Sequence, residues 1–225
     1  PMMRVARPLV LFALLPVFAG CQMFSSKPVD TTAGQTRLQG ELSAAGGQLL
    51  FKPCEENRRF VVSDIGNTGL LQEASALAST PGTLFADVRG KLAGSQGVGN
   101  DGQLNVQQLY RVEHSSSACS DPNFKRLILR ASGHEPDWSL KASGKGMVLD
   151  RPGQPSLAVP YLEEQLPDGR FALSTEANGQ RVDLWVAPQR CVDSATGAVS
   201  HLSAELRIDG QTLRGCGYYG GSRND

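Results

Sequence analysis

Apolar and polar residues alternate with a period of two through Thr36–Leu42, Gln48–Lys52 and Arg59–Asp64, which predicts three strands with one buried face each. Gly46-Gly47 and Glu55-Glu56-Asn57 supply the turns between them. The period then lengthens. Leu70, Leu71, Ala74, Leu77 and Ala78 fall at helical spacing, and Pro81-Gly82 stops the run, so a short helix is expected there. Thr83–Leu92 and Gln103–Glu113 return to the strand pattern. A turn cluster, Ser120-Asp121-Pro122-Asn123, follows and marks a boundary. Beyond it come eight short strand patterns: Arg126–Ala131, Trp138–Ala142, Met147–Asp150, Ser156–Val159, Phe171–Thr175, Arg181–Val186, His201–Ile208 and Thr212–Gly215.

Three strands, a short helix and two strands is the order of the OB-fold, a five-stranded barrel whose helix lies between the third and fourth strands. The expected fold class is therefore all-β. An OB-like barrel with one short helix over residues 36–120 precedes a small antiparallel sandwich or barrel over residues 126–220.

The first twenty residues follow a different logic. Arg4 and Arg7 form a short positive region, and Leu9 to Phe18 form an apolar run broken by Pro16. That run is roughly ten residues long, where a membrane span needs about twenty. It ends in Phe18-Ala19-Gly20-Cys21, which resembles the bacterial lipobox with Phe in place of the usual Leu. The expectation is a lipoprotein signal peptide over residues 1–20, with translation starting at Met2 or Met3 and acyl chains on Cys21. Each buried methylene contributes about 0.8 kcal/mol, so the acyl chains would anchor the protein to its membrane. Gln22, not Asp, follows the cysteine, and under the enteric sorting rule this implies the outer membrane, with the protein facing the periplasm. Residues 21–35 are polar, rich in Ser and Thr and without period, as a tether would be.

Export would place the other cysteines in an oxidising compartment. Cys54, Cys119, Cys191 and Cys216 allow three pairings. Cys54–Cys119 and Cys191–Cys216 are favoured because each pair brackets one run of strands. None of the four lies in a CxxC element or near a His at metal-ligand spacing.

Charge narrows the function classes. The chain carries 22 Lys plus Arg against 22 Asp plus Glu, and loss of residues 1–20 would leave it slightly acidic. Residues 36–120 hold 7 basic and 8 acidic side chains without a run of either sign, so the OB-like part lacks the basic groove that single-stranded nucleic acid requires. Phe51, Phe60, Phe85 and Tyr110 read as core residues and not as a stacking platform. No nucleic-acid partner is expected.

The densest chemistry is Gly133-His134-Glu135-Pro136-Asp137-Trp138. His134, Glu135 and Asp137 could ligate a metal, and Trp138 could stack on a ligand. Neighbours on an extended chain point to opposite faces, so convergence needs a turn, which Pro136 permits. The alternative is a strand-entry turn with Trp138 in the core. His134, Glu135, Asp137, Trp138 and Asp193 are the candidate binding residues, with no metal site or cofactor assigned. No serine lies in a GxSxG elbow, Glu163 and Glu164 read as a solvated loop beside Pro167-Asp168-Gly169, and no catalytic residue is assigned. The glycines of Gly215-Cys216-Gly217-Tyr218-Tyr219-Gly220-Gly221 lack the strand-to-helix setting of a phosphate loop.

Gly133-x-Glu135-Pro136-x-Trp138-Ser139, Cys191-x-Asp193…Gly197 and Leu213-x-Gly215-Cys216 together resemble a family of bacterial envelope proteins to which no activity is attached. The resemblance implies a small β domain with a disulfide between its two cysteines. Through lipobox, strand order and position, residues 36–120 resemble the OB-like domain of NlpE-type outer-membrane lipoproteins, although the CxxC element of that family's other domain is absent. The expected function is a non-enzymatic outer-membrane lipoprotein that binds or senses an envelope protein or a peptidoglycan-related partner. A lysozyme inhibitor and a metal-binding envelope protein are the alternatives.

Overall fold

The structure, a computed structural model, describes residues 34–95, 97, 99–177 and 179–223. The expected signal peptide, Cys21 and the tether up to residue 33 lie outside them. Among the described residues no helix is long and apolar enough to cross a membrane.

The chain opens with strands β1 (Thr36–Ala45), β2 (Gln48–Pro53) and β3 (Phe60–Ser63), then helix α1 (Leu70–Leu77), then β4 (Leu84–Ala93) and β5 (Gly102–His114). β1 pairs antiparallel with β2 and β4, β2 with β3, and β4 with β5. A parallel pairing of β3 with β5 closes the ring, so the five strands form a barrel with no free edge. This is the OB order expected from the hydrophobic periods.

Inward positions on alternate residues build the barrel core from Phe51, Phe60, Val88, Leu104, Val106 and Val112, among others. Helix α1 contributes Leu70, Ala74 and Leu77, one stripe at helical spacing. Its entry is set by Asp64, whose carboxylate accepts from the backbone N–H groups of Thr68 and Gly69. Gly69 then adopts φ 86°, a conformation that costs a residue without a side chain little.

Nine strands follow: β6 (Leu127–Gly133), β7 (Trp138–Ser143), β8 (Gly146–Asp150), β9 (Leu157–Val159), β10 (Leu162–Gln165), β11 (Phe171–Ala177), β12 (Gln180–Val192), β13 (Val199–Ile208) and β14 (Gln211–Tyr219). They run in the antiparallel order β10-β11-β12-β13-β14-β6-β7-β8-β9. The sheet curls so that Val159 near one end and Phe171 near the other enter the same core, with Trp138, Leu140, Leu184 and Leu202 between them. Val199 and Ser200 of β13 also pair with Val112 and Arg111 of β5, which makes β13 the bridge to the barrel.

One segment differs from expectation. Leu162–Gln165, which includes Glu163 and Glu164, is an edge strand on β11 and not a loop. All four of its side chains are exposed, so it has no buried face to impose a period of two; the backbone ladder of β11 and an ion pair from Arg223 to Glu163 hold it.

Both favoured disulfides are formed. Cys54–Cys119 ties the end of β2 to the turn after β5, and Cys191–Cys216 ties β12 to β14.

Arg37 on β1 and Asp87 on β4 form an ion pair at 2.6 Å in which Asp87 is 0% exposed. Removing one partner of such a buried pair leaves an uncompensated charge. Asp87→Ala is expected to lower the free energy of unfolding by about 3–5 kcal/mol, read from urea denaturation. In the exposed pair Arg181–Asp183, Arg181→Ala is expected to cost less than about 1 kcal/mol.

Candidate functional site

Four neighbouring segments build the site: the β6–β7 turn, the β12–β13 loop, and the outer faces of β5 and β14. Close backbone approach positions the first of them. A Cβ on Gly133 would run into the Arg214 carbonyl, and a Cβ on Gly215 into that of Ser132, so both positions need glycine where β6 lies against β14. The Trp138 indole N–H donates to the same Arg214 carbonyl at 3.3 Å, and its ring, 2% exposed, lies in the core. Trp138 therefore anchors the turn from beneath and presents no stacking face.

The disulfide positions the second segment. Cys191 pairs with Ser200 on one side of β13, while Cys216 pairs with Ser203 on the other. Strands flanking a third should lie about 9–10 Å apart, yet the two Cα atoms are 5.5 Å apart. The irregularity between Pro188 and Cys191 bends the end of β12 over to make this contact. Asp193, two residues further on, is thereby carried to His134, which lies two residues beyond the Ser132 that pairs with Cys216.

His134 sits between two carboxylates. Its Nδ1 is 2.8 Å from Asp137 Oδ1 and its Nε2 is 2.9 Å from Asp193 Oδ2. Those hydrogen bonds, with Asp137 and then with Asp193, raise the His134 pKa above its usual 6.5 against a smaller opposing effect of burial. With both nitrogens facing carboxylates, the protonated ring is the form that can donate to both. Burial pushes the Asp193 carboxyl up, but the bond from His134 and the N–H groups of Thr196 and Ala195 outweigh it and hold the pKa below its usual 3.8. Asp193 Oδ1 accepts from both of those N–H groups at 2.9 Å, and Gly197, at φ 76°, completes the loop.

The turn thus brings together His134, Asp137 and Asp193 and leaves Glu135 exposed beside them at φ 60°. Among the described residues no group of three or more His, Cys, Asp or Glu has metal-holding geometry. Both ring nitrogens of His134 are already engaged, so a metal ion would have to displace a carboxylate.

His134 and Asp193 line a cleft of about 270 Å³ together with Arg111, Glu113, Arg130 and Tyr218. An adjoining cleft of about 360 Å³ shares Arg111, Glu113 and Arg130 and adds Lys141 and Asp121. Arg111 is 5% exposed and stacks on three rings, with its guanidinium carbon 3.9 Å from the Tyr218 centroid, 4.8 Å from Phe85 and 5.7 Å from Phe124. One N–H reaches Glu113 at 3.3 Å, but among the described residues the buried Nε has no acceptor and the buried Tyr218 hydroxyl has no partner. On the adjacent strands Tyr218 lies opposite Arg130, and Arg130 lies opposite Lys141. Among the described residues, neither Arg130 nor Lys141 has an ion-pair partner.

Arg111, Arg130, Lys141 and Tyr218 were not singled out by sequence reasoning. Arg130 and Lys141 occupy ordinary outward positions of alternating strands, and only the register places two cations directly opposite each other.

The other two histidines are held in structural contacts. His114 Nε2 contacts the Leu77 carbonyl at 2.7 Å and Thr80 Oγ1 at 3.0 Å. His201 Nδ1 donates to the Tyr110 carbonyl at 2.9 Å, and burial pushes the His201 pKa down to about 4.

Comparison with family models, curated proteins and solved structures finds no match for this chain.

The clasp titrates at both ends. The folded pKa of His134 is raised, so its contribution to stability is complete below pH 6.5 and is lost as pH rises through the folded value. The folded pKa of Asp193 is lowered, so its contribution is present above 3.8 and is lost as pH falls through the folded value. NMR of the His134 ring should give a midpoint above 6.5, and Asp137→Asn and Asp193→Asn should each move it down. Replacing both Cys191 and Cys216 by Ser should cost about 3 kcal/mol by the loop-entropy estimate and return the His134 midpoint toward 6.5, as the end of β12 is released.

Proposed function

We propose that this protein is a non-enzymatic binding module of the bacterial cell envelope. It is exported, cleaved before Cys21 and held by acyl chains on Cys21 in the outer membrane. From there it faces the periplasm and binds an envelope protein or a peptidoglycan-related partner. The observation that carries this reading is the pairing of all four cysteines outside the lipobox into two disulfides, which suits an oxidising compartment. The signal-like residues 1–20 and the lipobox-like Phe18-Ala19-Gly20-Cys21 agree with it.

Binding without catalysis accords with the histidines. His134 is clamped between carboxylates, His114 contacts a backbone carbonyl and a hydroxyl, and His201 stays neutral at periplasmic pH. His114 lies beside the Thr80 hydroxyl, but its Nε2 donates to the Leu77 carbonyl and so has no lone pair with which to take a proton there. The partner surface is the pair of clefts around Arg111 and Tyr218, where, among the described residues, buried polar atoms lack partners and two outward cations lack counter-ions. Such a surface is finished by a ligand that supplies the missing groups.

In cells treated with globomycin, an unprocessed precursor should accumulate, and wild-type protein should fractionate with the outer membrane. Cys21→Ser should move it out of the membrane fraction. Processing that is indifferent to globomycin, or a Cys21→Ser chain that stays membrane-bound, would overturn the lipid anchor.

A further inference from the structure

We infer that the face formed by Arg111, Tyr218, Arg130 and Lys141 binds an oxyanion, either the carboxylate or the phosphate of the module's ligand. The inference rests on reading this face as the binding surface and goes further by naming the chemistry it takes.

Three independent features of the face point the same way. The first is an orphaned donor. Arg111 is 5% exposed, and Glu113 engages one N–H at 3.3 Å while the buried Nε has no acceptor. A guanidinium has five N–H donors in a planar fork that fits the oxygens of carboxylate and phosphate. Phe85, Phe124 and Tyr218 hold its plane in place, so little side-chain freedom remains to be lost when an anion arrives.

The second is a like-charge pair. Arg130 and Lys141 stand directly opposite each other on β6 and β7, and among the described residues neither has an ion-pair partner. Directly opposed like charges on neighbouring strands destabilise a sheet. An anion bridging the two converts that repulsion into two attractions. Tyr218, opposite Arg130 on the other side, adds a buried hydroxyl without a partner.

The third is the balance of charge in the cleft. Arg111, Arg130 and Lys141 face Glu113 and Asp121, which leaves a net single positive charge. The Asp121 carboxylate already accepts from the Asn123 N–H at 2.9 Å. In the adjoining cleft Asp193 is already engaged by His134 at 2.9 Å and by the N–H groups of Ala195 and Thr196. A monoanion neutralises what is left.

The test is thermal unfolding and calorimetric titration of the purified protein at constant ionic strength, with sodium phosphate or sodium acetate replacing chloride. At an anion concentration ten times its Kd, the melting temperature should rise by about 3 °C. In Arg130→Gln/Lys141→Gln the rise should disappear and the Kd for the more effective anion should weaken at least about tenfold. That variant should be no less stable than wild type in chloride, because the like-charge pair is gone, and this separates loss of binding from loss of folding. Lys145→Gln, on the β7–β8 turn, should respond as wild type does.

A larger response to phosphate assigns a phosphorylated ligand, and a larger response to acetate assigns a carboxylate. No response to either anion, or an equal response in wild type and the double variant, overturns the inference. Purified protein reports on the cleft whether or not Cys21 carries lipid. A chain insensitive to globomycin that still responds to phosphate would therefore overturn the cellular location and leave the site standing.

Discussion

The burial of one charge governs how this chain is assembled. Asp87 on β4 is fully enclosed, and a carboxylate out of water is tolerated only when paired and hydrogen-bonded. Arg37 supplies two of its bonds, from Nε at 3.0 Å and Nη2 at 2.6 Å, and Gln39 supplies a third at 3.0 Å. Two further guanidinium N–H groups go to the backbone carbonyls of Tyr219, the last residue of β14, and of Gly220. The guanidinium carbon of Arg37 lies 4.1 Å from the Tyr110 ring centroid. A single network thus fixes β1, β4, β5 and the carboxyl-terminal end of β14. The outer face of the barrel can be buried only because β14 arrives there with acceptors in the right place.

The candidate site lies on the continuation of the same surface. Phe124, 5.1 Å from the Arg37 guanidinium, also packs against Arg111, so the first arginine, which is fully paired, and the second, which is not, share a wall. The contrast between them is informative. Arg37 has an acid and two carbonyls, whereas Arg111 has one acid at 3.3 Å and a buried nitrogen with nothing opposite. Two cations buried in similar aromatic surroundings have reached different degrees of satisfaction, and the less satisfied one faces a cleft.

Legibility in the sequence followed burial. Strands with one face in a core, such as Leu127–Gly133 and Trp138–Ser143, alternate strictly in the structure and were readable from their period. Helix α1 was readable because Leu70, Ala74 and Leu77 form a buried stripe. Leu162–Gln165 was not, since an edge strand exposed on every side chain carries no hydrophobic signature. His134, Asp137 and Asp193 were visible as residue types, but their meeting depends on a bend in β12 that brings together positions 59 apart. The cationic face was invisible for a different reason. Outward charges on strands are ordinary, and the exception is the register that sets Arg130 against Lys141.

The contact between Arg37 and the Tyr219 and Gly220 carbonyls also bears on the order of synthesis. The last barrel residue, His114, is made long before Tyr219 and Gly220, the acceptors that complete the barrel's buried arginine. The barrel must wait, with part of a buried cation unsatisfied, until β14 has been made. A chain cut short before Tyr219 carries this defect permanently, so the barrel reports on whether β14 was completed.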